Sequence, residues 1–112
     1  MAGKKRDVVV AGSGNVLQDL GFTDSEERKL RVQLAVRLND LIDEHRLAQD
    51  AVAKRFDIPQ PHVSELRNYK LSRFSSERIV RFITLLDRDI DIVIRPRDAS
   101  HKTGHVSVLF TV

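Results

Sequence analysis

Apolar residues recur every three or four positions from Leu30 to Leu86 and every second position after Ile90, dividing the chain into a helical body and a β-like tail. In the first helical stretch Leu30, Leu34, Leu38, Leu41 and His45 share one face, joined by Ala35 and Ile42. Thr23 or Asp24 can cap this helix, with Glu26 or Glu27 three residues on to complete a capping box. Val32 and Val36 fall about 200° away from Leu30 and Leu34 around the same helix. They form a second apolar stripe that one core cannot also cover, so the N-terminal arm or another chain is expected on it. A second helix is predicted over residues 48–56, burying Val52, Ala53 and Phe56. A third is predicted over residues 60–68, where Pro61 suits the first turn because the amide it lacks would be unpaired there. Ser75 or Ser76 then caps a helix to about Asp87, with Ile79, Phe82, Ile83 and Leu86 on its apolar face.

The period of two that follows predicts strands. Ile90, Ile92 and Ile94 alternate with Asp89, Asp91, Val93 and Arg95, and Val106, Val108 and Phe110 alternate with Ser107 and Thr111. Pro96 and Gly104 bracket a polar loop, so a C-terminal β-hairpin is expected. Two strands alone are marginal in water. Ile92, Ile94, Val106, Val108 and Phe110 are therefore expected to form a homodimer interface with a second copy. At the other end, Gly3, Gly12, Gly14 and Gly21 interrupt every period, and only Val16, Leu17, Leu20 and Phe22 give the segment grip. The chain thus divides into a flexible arm (1–22), a helical domain (23–88) and C-terminal strands (89–112).

The most informative stretch is residues 49–66. Ala53 follows Gln49 by four, a turn falls at Asp57 and Ile58, and Val63 and Leu66 lie three apart. That is the spacing of two short helices crossing steeply, with Ala53 small enough to let them touch. The second helix of such a pair stands proud, and its polar face fits a DNA major groove. With Val63 and Leu66 inward, Pro61, Ser64, Glu65 and Asn68 point outward and Gln60 leads at the tip. A glutamine amide can bond an adenine edge at two points, a serine is permissive, and a glutamate can accept from cytosine. Gln60, Pro61, Ser64 and Glu65 are therefore candidates for base reading. Gln49, Arg67, Asn68, Lys70 and Arg73 flank them and are candidates for phosphate contacts, which fix register rather than sequence. The plainer alternative is a solvated polar face on a structural helix.

Charge strengthens the first reading. Residues 46–81 hold eight basic residues against four acidic ones, whereas residues 24–45 hold four against six. The positive surplus lies where a phosphate backbone would need it. The rest of the composition mainly excludes. At 112 residues the chain is one domain with arms. It has no cysteine, which excludes disulfides and thiolate metal sites and fits the reducing cytoplasm. No apolar run reaches the ~20 residues of a membrane span. Val8-Val9-Val10-Ala11 after Lys4-Lys5-Arg6 is too short for the core of a secretion signal. The loop Gly12-Ser13-Gly14 lacks the third glycine and the βαβ unit of a dinucleotide site. His101 and His105 are four apart, but Gly104 breaks any helix that would align them, so no metal site is expected. No serine is paired with a His and an Asp in a catalytic motif. Neither catalysis nor a cofactor is indicated.

The run Gln49…Ala53…Ile58-Pro59-Gln60-Pro61…Val63-Ser64…Leu66, followed by Lys70-Leu71…Phe74-Ser75, resembles the Xre-type helix-turn-helix regulators related to phage Cro and repressor proteins. Gly14-Asn15-Val16…Asp19-Leu20-Gly21-Phe22 and Asp91-Ile92-Val93-Ile94 narrow the resemblance to antitoxins of the HigA kind, and the match spans about residues 14–95. It implies a mainly α, lambda-repressor-like bundle acting as a dimeric repressor of a palindromic operator in double-stranded DNA. It also implies neutralisation of a RelE-like toxin, for which Val16, Leu17, Leu20 and Phe22 are the candidate contacts. A stand-alone regulator, or a protein-interaction module with an acidic partner, are the alternatives. The family usually has glycine where this chain has Asp57 and Tyr69, and a Ser or Thr cap where it has Ala48. Asp tolerates a left-handed backbone better than Tyr, so Asn68 is expected to take that conformation in place of Tyr69.

Overall fold

The computed structural model describes residues 24–111; the arm predicted over 1–22 lies outside them. Four helices follow in order: α1 (Asp24–Glu44), α2 (Gln49–Phe56), α3 (Gln60–Arg67) and α4 (Ser76–Leu85). Each falls within two residues of its predicted span. The stripe of α1 is buried from Leu30 to Ile42 and packs against α4, while α2 packs on α3 and also touches α4. Phe56 stacks on Phe82 with ring centroids 4.4 Å apart, and Phe74 meets Phe82 edge-on at 6.1 Å. These rings, three of the chain's six aromatic side chains, fasten α2 and the α3–α4 linker to α4. His45, at the end of the stripe, bonds the Leu41 carbonyl through Nδ1 at 2.8 Å and serves as a helix-end residue. Val32 and Val36 lie off the core, 47% and 38% exposed.

The helix ends show how a glycine-poor chain turns. Arg46, Asp57, Tyr69 and Asp87 all have positive φ. After the first three, the next amide reaches five residues back: Leu47 to Ile42 at 3.3 Å, Ile58 to Ala53 at 3.0 Å and Lys70 to Glu65 at 2.8 Å. Those bonds satisfy carbonyls that each helix end leaves open. They offset a left-handed backbone that costs roughly 1–2 kcal/mol for a residue with a side chain. Asp57 takes this conformation as expected, but the expectation for Asn68 is corrected. Its φ is −99° and Tyr69 takes the turn instead. The Asn68 amide still bonds the Ser64 and Glu65 carbonyls, and its side chain folds back on Ser64 at 2.8 Å, so the reversal falls one residue later. Ala48 provides no side-chain cap for α2, while the Ser75 hydroxyl accepts from the Arg78 amide at the start of α4.

The predicted C-terminal hairpin requires correction. Among the described residues no strand forms, and residues 89–96 run past the helical body without a backbone hydrogen bond. Ile92 and Ile94 stand 82% and 93% exposed. Val108 and Phe110 instead turn back on their own chain's core, where Arg37 and Arg88 cover the Phe110 ring at 4.6 and 5.6 Å. The two alternating segments therefore lack a shared ladder, consistent with the marginal stability of an isolated hairpin. No helix among the described residues is long and apolar enough to cross a membrane.

One polar tie joins the beginning of α1 to the rest. The Glu27 carboxylate receives Arg31 and the buried Ser76 hydroxyl, the latter at 2.6 Å, while Arg31 also donates to the Leu71 carbonyl at 3.3 Å. Partial burial pushes the Glu27 carboxyl up. The hydrogen bonds from Arg31 and Ser76 and the charges of Arg31 and Arg28 together outweigh it, holding the group below the usual carboxylate range. A depressed folded-state pKa means the unfolded chain binds its proton first. The stabilisation is thus complete above the ordinary carboxylate value and is lost as pH falls through the depressed one. Glu27→Gln should lower stability at neutral pH by about 1–2 kcal/mol, the worth of charged hydrogen bonds. The deficit against wild type should shrink on acidification, as urea denaturation at several pH values would show.

Candidate nucleic-acid interface

Helix α3 is short, and its position depends on what grips it from behind. Val63 and Leu66 are fully buried against the bundle. Beside them the buried Asn39 of α1 donates from Nδ2 to the Leu66 carbonyl at 3.2 Å, closing an acceptor in the last turn of α3. Arg67 reciprocates. Its Nη1 donates to the Asn39 side-chain and backbone oxygens at 2.9 and 3.0 Å, and its Nη2 pairs with Asp43. Asn39 and Arg67 thus form a two-way clamp between α1 and α3. Sequence reasoning overlooked Asn39. The signal was present, because Ala35, Asn39 and Ile42 share one helical face and a polar residue on a buried face needs a partner.

The clamp leaves the opposite side of α3 turned outward. Gln60, Pro61 and Asn68 are exposed, and Ser64 and Glu65 are half-buried. Gln49, at the first turn of α2, is also exposed. The Gln49 and Gln60 amides make no hydrogen bond among the described residues, so their donors and acceptors are available. Glu65 is not free: Arg73 grips both carboxylate oxygens, at 2.5 and 3.3 Å. The Arg73 hydrogen bond is the main influence holding the Glu65 carboxyl below the usual range. Desolvation opposes it, and the charges of Arg73, His62 and Lys70 add to it. This pairing removes a bare negative charge from a face that would otherwise repel phosphate.

The basic surplus between residues 46 and 81 is therefore partly committed inward. Arg55 donates to the Leu85 carbonyl at 3.1 Å and pairs with Asp87. Arg67 holds α1, Arg73 holds Glu65, and Arg78 bonds the Arg73 carbonyl while lying over the Phe74 and Phe82 rings. Arg46, Lys54, Lys70 and Arg81 make no such contacts among the described residues. A phosphate contact by Arg67 would require breaking the clamp, whereas Lys70 offers its charge without any rearrangement.

His101 and His105 come together despite Gly104, with their rings stacked at 3.7 Å. Among the described residues no group of three or more His, Cys, Asp or Glu side chains is arranged to hold a metal ion.

Two short helices set by a tight left-handed turn, with the second pinned from behind and polar in front, define a helix-turn-helix DNA-binding domain. Comparison with known proteins agrees: the chain belongs to the helix-turn-helix domain family, whose model matches residues 16–95. It is similar to a solved XRE family transcriptional regulator, with 46% identity over 80% of this chain and 100% of that one and a TM-score of 0.75. No curated protein matches it significantly.

The clamp makes a prediction that separates it from surface pairing. Asn39→Ala leaves the Leu66 carbonyl buried without a donor, which should cost about 1–3 kcal/mol. Asp43→Ala removes only the exposed arm of Arg67 and should cost no more than about 1 kcal/mol. Equal losses in urea denaturation would show that the buried amide has no special role.

Proposed function

We propose that the protein is a sequence-specific transcriptional repressor that binds double-stranded DNA as a homodimer. The outer face of α3 carries this reading, because Gln60 stands there with an unengaged amide on a helix held rigidly by the Asn39–Arg67 clamp. Gln60, Pro61, Ser64 and Glu65 meet base edges in the major groove. Lys70, Gln49 and Asn68 contact phosphates, and Arg73 does so while holding Glu65 in place. Arg67 serves the interface chiefly by fixing the helix that carries it. A palindromic operator follows from two-fold symmetry, with half-sites about one helical turn apart. Ile92, Ile94, Val106, Val108 and Phe110 belong to the dimer element. Within it, Val108 and Phe110 anchor the tail to its own body, while Ile92 and Ile94 face outward.

The narrower reading is that of an antitoxin acting in the cytoplasm, neutralising a RelE-like toxin and repressing the operon they share. Its support is the resemblance of residues 14–22 and 91–94 to HigA-like proteins. The proposed toxin contacts, Val16, Leu17, Leu20 and Phe22, lie outside the described residues. Co-expression with a short basic RelE-like frame from the neighbouring gene tests it: growth should be rescued by the full chain and not by one lacking residues 1–22.

DNA reading is tested first on a duplex selected from random sequence. Gln60→Ala should weaken binding to that duplex by about 1–3 kcal/mol while leaving random DNA nearly unchanged. Lys70→Ala should weaken both alike and reduce the salt slope by about 1. A Gln60→Ala variant that lost affinity equally for selected and random DNA would contradict this assignment.

A further inference from the structure

Residues 89–95 belong to no helix or strand, make no backbone hydrogen bond among the described residues and leave Ile92, Val93 and Ile94 82%, 77% and 93% exposed. Unpaired backbone donors and acceptors beside alternating isoleucines are a template for strand pairing. The sequence of the segment is also self-complementary. In an antiparallel pair of identical segments centred on Ile92, Asp89 lies opposite Arg95 of the second copy, Ile90 opposite Ile94, and Ile92 opposite itself. Both ends then carry an Asp–Arg pair, and one face becomes a continuous row of six isoleucines. Cross-strand pairs of both kinds are favourable.

Other registers are poorer. Centring on Asp91 sets two aspartates directly opposite each other. Centring on Val93 brings Pro96 into the ladder opposite Ile90, where its missing N–H would forfeit a bond. A parallel, in-register pair lines Asp against Asp and Arg against Arg. We infer that residues 89–95 pair antiparallel with the same residues of a second copy, forming a two-stranded ribbon centred on Ile92 that joins two DNA-binding domains. This deepens the dimeric-repressor reading above and rests on it, because it names the element and register through which the two domains meet.

The chain has no cysteine, so single-cysteine variants of the full-length protein report register directly. Residues directly opposite in an antiparallel pair have Cα atoms within disulfide range, and those offset by four do not. Ile92→Cys should oxidise to a covalent dimer on the order of ten-fold faster than Ile90→Cys or Ile94→Cys alone. An equal mixture of the last two should yield the cross-linked heterodimer. Because these side chains are exposed, the variants should fold as wild type does. Asp89→Arg should weaken the dimer in sedimentation, and Asp89→Arg combined with Arg95→Asp should restore it. A monomer that still binds its selected duplex would overturn the ribbon while leaving the DNA-binding reading intact. A dimer in which Ile92→Cys does not cross-link, but Val32→Cys or Val108→Cys does, would overturn the ribbon and move the interface. Failure to bind any duplex would sink the repressor reading, and the cross-linking pattern would still decide the ribbon.

Discussion

The Asn39 side chain is polar, buried and placed on the apolar stripe of α1, so it must find hydrogen bonds inside the protein. It finds them at the last turn of α3, through the Leu66 carbonyl and the Arg67 guanidinium. Apolar packing through Val63 and Leu66 is non-directional and would tolerate some rotation of a helix only eight residues long. Hydrogen bonds to a fixed amide tolerate far less. The angle at which Gln60, Pro61 and Ser64 face outward is therefore set from the rear of the helix. A domain that reads DNA needs side chains held to within fractions of an ångström, and the clamp is the means by which α1 imposes this.

The same logic governs the charges. Arg55, Arg67, Arg73 and Arg78 join elements of the protein or neutralise Glu65, and each uses the planar, multi-donor guanidinium for a task lysine does less well. Lys54 and Lys70 remain as point charges at the surface, the simpler requirement for a phosphate. Counting basic residues therefore overstates the number of cations open to a ligand.

Much of the fold could be read from residue spacing. Ala53, Ile58, Val63 and Leu66 marked out the helix pair and its turn, and the α1 stripe from Leu30 to Ile42 is buried as its period demands. Asp57 took the left-handed turn because an Asp side chain tolerates it. Tyr69 was misread because its propensity is poor, whereas the decision lay with the helical bonds still made by Asn68. The tail was misread for a different reason. Alternation marks a segment able to form a strand, but a ladder needs a neighbour, and Val108 and Phe110 gained more by covering the core beside Arg37 and Arg88. The outward face of α3 was legible from the positions of Val63 and Leu66. The partners of Arg67, Arg73 and Glu65 were not, because tertiary ion pairs leave no periodic trace.

If α3 meets DNA with its outer face, the Asn39–Arg67 clamp must stay closed behind it. Amide and side-chain NMR of the full-length chain, titrated with its selected duplex, tests this most directly. Large shifts are expected at Gln49, Gln60, Ser64 and Lys70, with the Asn39 side-chain amide and Arg67 guanidinium signals keeping the signature of their hydrogen bonds. Shifts centred on Val32 and Val36, or loss of the Asn39 and Arg67 bonds when DNA binds, would contradict it.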